Sequence, residues 1–376
     1  MTSKKASVNP HAIFVAFFSV LALILVIKYS DAAIDSVKNA LYICANTVIP
    51  SLFPFMVISE LIISLGASKY LGKLLSPVFR PLFALNEHAA SAFILGTLCG
   101  FPVGARTAVS LCEQGKLDEN EVSRILCFCN NPSSAFVISA IGISLFGSRN
   151  IGIAMYVITL LSAIIVGICL RFIYGKGKHE NNKKRAYSNI IDQTSGIHIF
   201  TKAVTDSAGT MITVCAFIIF FSAFLGMLRD AFAPTNTPDT IISGVMGFFE
   251  LTNGVTFAAS HTKAESAILL CAAIAGWSGL SVHFQIMSIC KGLKISFRPY
   301  FAAKAAQALL NGILVYTYMK LFKPQISTPS SIDIPTFLRI PEPIVKALFI
   351  TFVISAIFWM FRKLSDRHRN RQNTQK

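Results

Sequence analysis

Long apolar runs, interrupted at a few positions by Gly, Pro and Asn, make up most of this chain. Four windows contain no charged residue: Ala12 to Ile27, Ile151 to Leu170, Ala208 to Leu228 and Ala347 to Phe361. Four more, Leu41 to Gly66, Cys127 to Phe146, Ser266 to Cys290 and Ala305 to Met319, are mostly apolar but carry polar or helix-breaking residues. A helix crosses a hydrocarbon core of roughly 30 Å with about 20 mostly apolar residues, so the pattern predicts about eight spanning helices.

Two further stretches read as re-entrant or broken-helix segments. In CGFPVGART (Cys99 to Thr107), Gly100, Pro102 and Gly104 interrupt an apolar run; in FELTNG (Phe249 to Gly254), an acid and an amide do so. Non-helical backbone at membrane depth is tolerated only where protein or a wet cavity surrounds it.

Composition agrees with the windows. Apolar residues are 53% of the 376, charged ones 14%, and the mean hydropathy is +0.60, which excludes a water-soluble domain. The expected class is an all-α, polytopic transmembrane helical bundle. Lys4 and Lys5 ahead of the first window resemble the start of a secretory signal, but KYSDAAIDS beyond it offers no convincing cleavage site. An uncleaved first helix is expected.

The net charge of +16 raises nucleic acid as a partner, yet its distribution argues for topology. Basic clusters at Arg171 to Arg185 and at Arg362 to Lys376 directly follow spanning windows, and positive residues stay cytoplasmic. The N-terminus, the central basic loop and the C-terminus are therefore expected inside, with no nucleic acid involved. The organisation that follows is a tail, first helix and outer loop (1–40), a first membrane half (41–173), a basic cytoplasmic loop (174–200), a second membrane half (201–320), an outer loop (321–342), and a last helix with a basic tail (343–376).

The halves share a make-up. FMVIS (Phe55 to Ser59) precedes GFPVGA (Gly100 to Ala105) in the first; FIIFFS (Phe217 to Ser222) precedes FELTNG and then GWSGLS (Gly276 to Ser281) in the second. An inverted repeat is expected, its Gly100 segment opening from the cytoplasm and its Asn253 segment from outside. Secondary transporters use paired, oppositely oriented broken segments of this kind near the bilayer midplane.

Polar side chains inside the windows are the candidate chemistry: Asn46, Glu60, Arg106, Asn130, Asn131, Glu250, Asn253, His283, Gln285, Lys304 and Gln307. An ionisable group there costs roughly 2.5 to 3.5 kcal/mol on insertion scales and usually pairs or faces a polar path. Arg106 has no acidic neighbour along the chain before Glu113. It reads either as an anion-binding fork at a re-entrant tip, near backbone amides freed by the glycines, or as a helix-end arginine snorkelling to headgroups. NNPSS (Asn130 to Ser134) reads as helix-capping chemistry or as a substrate site using the same helix start. Glu250 is a candidate for a coupling proton or cation, or for a structural pair with Lys304 or Arg106; Glu60 and His283 are similarly double.

Nine cysteines lie mostly within apolar windows, without a C-x-x-C pair or zinc spacing, and read as packing residues. No Walker loop, nucleophile elbow or HExxH helix occurs. Neither an enzyme nor a bound cofactor or metal is expected.

NTVIPSLFPFMVISELI (Asn46 to Ile62), LLSPVFRPLF (Leu74 to Phe83), CGFPVGART and CNNPSSAFVISAIG (Cys129 to Gly142) resemble the YlbJ-type sporulation integral membrane proteins, a group within the nucleoside-recognition or Gate-domain membrane family. The likeness spans most of the chain and is densest from Asn46 to Gly147. It implies transport of dipicolinic acid, a small aromatic dicarboxylate, from the mother cell across the outer forespore membrane by alternating access.

Placed by chemistry, Arg106 takes one carboxylate and Gly104, Asn131 and Ser133 the other, while Phe53, Phe101 or Trp277 stacks on the ring. Asn130, Ser134, Asn253 and Ser278 complete the candidate binding set, with Glu250, Glu60 and His283 as coupling candidates. A nucleoside or other metabolite as cargo, or a non-transporting assembly factor, stays open. So does whether calcium accompanies the anion, and whether the chain assembles with itself or with other sporulation membrane proteins.

Overall fold

The computed structural model describes residues 20, 22–174, 196–232, 237–322 and 324. The chain divides into two units, Met1–Ile332 and Asp333–Lys376, and the described residues all lie in the first. They form helices and connections, with no strand among them. The expected last span, Ala347 to Phe361, most of the first, and most of the basic loop lie outside the described residues.

The first half begins with a nearly continuous rod: α1 (residues 22–28), α2 (Ser30–Ile43), a π-helical turn π1 (Cys44–Val48) and α3 (Ile49–Ser64). Pro54 sits inside α3 and cannot donate a backbone hydrogen bond, so the interruption expected between Leu41 and Gly66 falls at π1 and at this proline. Asn46 is absorbed by the helix, its amide donating to Tyr42 O at 2.9 Å.

An amphipathic helix follows, α4 (Ser68–Phe83), which no apolar window announced. Its buried Phe79 and Phe83 meet at a tilt with ring centroids 4.6 Å apart, and Phe83 stacks on Phe128 at 4.8 Å.

Next comes a helical hairpin. α5 (Ala89–Cys99) and α6 (Val103–Glu113) are joined by Gly100–Phe101–Pro102 and lie close together because small residues face each other. An ideal Cβ on Gly104 would lie 3.0 Å from Gly96 Cα and 2.7 Å from Cys129 O. Without side chains at these points, backbones approach in the manner of small-residue membrane crossings.

α7 (Glu119–Cys129) opens with a capping box between Asp118 and Glu121, which fixes its start. It breaks at Asn130, whose backbone is extended, and resumes as the π-helix π2 (Ala135–Leu145). α8 (Arg149–Tyr174) closes the half.

The second half follows this order without a counterpart of α4 among its described residues. A long helix, α9 (Gly196–Phe232), leads into a hairpin of α10 (Asp239–Phe249) and α11 (Leu251–His261). A broken helix follows, α12 (Ala264–Trp277) and α13 (Leu280–Ile289), then a closing helix, α14 (Arg298–Phe322). Long helix, hairpin, broken helix, closing helix is thus the plan of both halves.

By length and composition α8, α9 and the α12–α13 pair can each cross a membrane, with shorter apolar helices within α3 and at α5, π2 and α10. Between the two hairpins, α8 and α9 are candidate spans, and π2 is one of the shorter apolar helices. One boundary needs correction: the window Ala305 to Met319 starts too late, because α14 begins at Arg298 and takes Lys304 inside the helix.

Candidate functional site

Each hairpin tip rests on the break of the broken helix that follows it. Gly100 has φ +83° and ψ −177°, and an ideal Cβ there would lie 2.7 Å from Ser133 N. Phe101 N donates to Asn131 O at 3.0 Å, tying the tip to the break. In the second half Gly279 has φ +84° and ψ 149°, and an ideal Cβ there would lie 3.0 Å from Leu251 N and 3.2 Å from Glu250 Cα. Both glycines occupy a backbone region that side chains rarely enter. In the first half the glycine is on the tip; in the second it is on the break.

Around the first break lies a fully buried polar network. Asn131 Nδ2 donates to Phe128 O, and its Oδ1 accepts from Gln307 Nε2 at 2.7 Å. Lys304 Nζ donates to Asn130 O at 2.9 Å and to Gln307 Oε1 at 2.7 Å. Asn311 Nδ2 reaches Ala272 O and Thr159 Oγ1, while Ser162 Oγ donates to Asn311 Oδ1. Asn130 donates to Leu126 O, and its Oδ1, beside Gly104, has no partner among the described residues. α14 is thereby stitched to α7, α8 and α12.

Arg106 lies one turn into α6 and has carboxylate partners that its place in the chain conceals. Nε is 3.6 Å from Glu60 Oε2 on α3, and Nη2 is 3.4 Å from Asp206 Oδ2 on α9. Glu60 also accepts from Ser110 Oγ at 3.0 Å. The reading of Arg106 as an unpartnered fork is corrected: it ties hairpin α5/α6 to one helix from each half. It borders an open, polar groove of about 320 Å³ whose walls include Asp206, Thr210, Thr213 and Ser288.

The second break is organised by Glu250. Its carboxylate caps α11, accepting from Asn253 N at 2.7 Å and Asn253 Nδ2 at 2.9 Å, and Asn253 Nδ2 also reaches Ser222 Oγ on α9. The expected pairing of Glu250 with Lys304 or Arg106 does not form, because the carboxylate is taken by the N-terminus of its own next helix.

Trp277 stacks on Phe248 at 5.4 Å and donates to Phe248 O, so it pins the hairpin rather than standing free. Ser278 Oγ bonds Ala275 O within its own helix. His283 is buried, with Nδ1 2.8 Å from Tyr300 Oη and Nε2 without a partner among the described residues.

The remaining candidates divide. Ser133 Oγ caps π2 by accepting from Phe136 N, and Ser134 is half-buried just after it. Phe101 packs at the hairpin tip; Phe53 packs with Met56, Leu95 and Val103 on the face of α5/α6 toward α3. The structure therefore brings Gly104, Asn130, Asn131, Ser133, Ser134 and Phe101 together at the first tip and break. Glu250, Asn253, Trp277, Ser278 and His283 gather at the second, and Arg106 with Glu60 stands beside the groove. All nine cysteines are free thiols, as their scatter suggested.

Lys304, Gln307 and Asn311 carry the central network, and none was singled out as a binding residue from sequence. Their signal was available: Tyr300, Lys304, Gln307 and Asn311 recur at steps of three and four on an otherwise apolar helix, a polar stripe on one face.

The family model described as nucleoside recognition, Gate, matches residues 45–170, from π1 through α8. The match covers about a third of the chain. The matched region contains the first hairpin, the first broken helix and Arg106, while α9 to α14 lie outside the match. Over 348 aligned positions the chain is 26% identical to the sporulation integral membrane protein YlbJ of Bacillus subtilis (strain 168), covering 84% of this chain and 83% of that protein. Both matches agree with the resemblance carried by the motifs between Asn46 and Gly147. No solved structure matches the chain.

Proposed function

We propose that this multi-pass membrane protein serves sporulation as a carrier that moves dipicolinate from the mother cell across the outer forespore membrane by alternating access. The observation that carries the reading is the tip-on-break contact made once in each half; in this reading the two hairpins open on opposite faces. Each contact closes one side; releasing one while keeping the other exposes the interior to one face at a time.

The chemistry at the groove suits a dicarboxylate. Arg106 holds its two acidic partners at 3.4 and 3.6 Å, longer than tight bidentate geometry, and a substrate carboxylate arriving through the groove competes with them for the same donors.

Nucleosides are the second cargo class, supported by the description of the matching family. Purified protein in liposomes is expected to take up labelled dipicolinate saturably, at least tenfold above protein-free vesicles and without competition from excess uridine. Uptake of uridine instead assigns the nucleoside cargo. Uptake of neither, under a proton gradient or a simple concentration gradient, removes the carrier reading in favour of an assembly role.

A further inference from the structure

We infer that Lys304 is a built-in cation: its ammonium fills a monovalent-cation site at the end of the first half-helix, so that the protein needs no bound Na⁺ or K⁺ there. Lys304 is fully buried and, among the described residues, has no carboxylate partner, whereas Arg106 has two. Its ligands are neutral oxygens: the main-chain carbonyl of Asn130 at 2.9 Å and the amide oxygen of Gln307 at 2.7 Å. Asn130 is the residue at which α7 ends, so the ammonium meets the negative end of that helix dipole. Carbonyls at half-helix C-termini and unwound backbone are what coordinate the coupling cation in carriers built from broken helices.

The site is constructed around the charge. Gln307 Nε2 donates to Asn131 Oδ1 at 2.7 Å and to Thr159 O at 3.3 Å, which turns its Oε1 toward Lys304. Asn131 O in turn accepts from Phe101 N, so the ammonium is two hydrogen-bonded residues away from the tip of hairpin α5/α6. Asn130 also carries a buried Oδ1 with no donor among the described residues, an additional oxygen at the same helix end. A lysine ammonium is a compact, hydrated-ion-like point charge, unlike the broad guanidinium of Arg106, and it fits where a small cation would.

The transport consequence rests on the carrier reading; the cation site does not, and two arms separate them. In the first, Lys304→Ala in choline buffer is titrated with methylammonium and its melting temperature recorded. A rise with concentration in the variant and none in the wild type is expected, because a ligand that binds the folded form alone stabilises it. No rise overturns the inference. Should Lys304→Ala fail to accumulate, Lys304→Ser, which offers a hydroxyl to the orphaned carbonyls, takes its place.

In the second arm, wild-type dipicolinate uptake is expected to stay within twofold when Na⁺ and K⁺ are replaced by choline. The variant is expected to fall at least tenfold and to recover at least threefold with methylammonium. A wild type that requires Na⁺ or K⁺, a variant that works normally in choline, or a variant that methylammonium binds but does not recover each contradicts the role. If the wild type moves no dipicolinate at all, the carrier reading fails while the melting arm still decides the cation site.

Discussion

Gly100→Ala and Gly279→Ala should each lower transport at least tenfold. Both positions combine a backbone conformation that costs a side chain about 1 to 3 kcal/mol with a neighbouring backbone that a Cβ would strike. At Gly100 the obstacle is Ser133 N at 2.7 Å, and at Gly279 it is Leu251 N at 3.0 Å. Neither neighbour is a flexible side-chain end that could swing away, so the hairpin tip must lift from the break. Gly115 separates strain from contact: its φ is +68°, but nothing lies within 4 Å of the Cβ position. Gly115→Ala is therefore expected to fold slightly less stably and to transport normally. Equal loss in all three variants would point to strain alone; unchanged transport in Gly100→Ala or Gly279→Ala would deny the tip contact its role.

The second large effect is at Arg106. Arg106→Gln leaves the Glu60 carboxylate, 11% exposed, without its cation. Removing one partner of a buried pair costs roughly 3 to 5 kcal/mol, and the groove's access to water puts this case at the lower end, about 3 kcal/mol. Arg106→Gln should therefore accumulate poorly. Adding Glu60→Gln removes the stranded charge and should restore monodisperse protein, in the way a double-mutant cycle isolates a pair. The restored double variant is still expected to lack dipicolinate uptake, since the fork that meets the substrate is gone. If it transports at the wild-type rate, Arg106 serves only to hold α6 against α3 and α9.

Much of this fold could be read along the chain, and the rest hides for physical reasons. Charge-free windows located α8 and α9, because a spanning helix needs little beyond length and apolarity. Gly100 and Pro102 marked a true break, because backbone exceptions demand particular residues, whereas the break at Ser278–Gly279 lay unseparated inside the window Ser266 to Cys290.

α4 escaped since half of its surface is polar, and a search for apolar runs does not register a helix lying with one face buried. The partners of Arg106 escaped for another reason: Asp206 is 100 residues away, and the pairing exists only once α6 meets α9. The polar stripe on α14 was visible but cut in two by a window that began just after Lys304. Glu250 was recognised as chemically unusual, yet its answer was the most local one, the start of its own next helix.

Counterflow in liposomes tests the central claim most directly. Vesicles holding purified protein and loaded with unlabelled dipicolinate are diluted into a trace of labelled dipicolinate, with no ion gradient imposed. A carrier that closes one hairpin contact while opening the other exchanges label for unlabelled substrate, so the internal label should rise transiently above its equilibrium level and then decay. Label that only relaxes to equilibrium, at the same rate in loaded and empty vesicles, would contradict alternating access between the two halves.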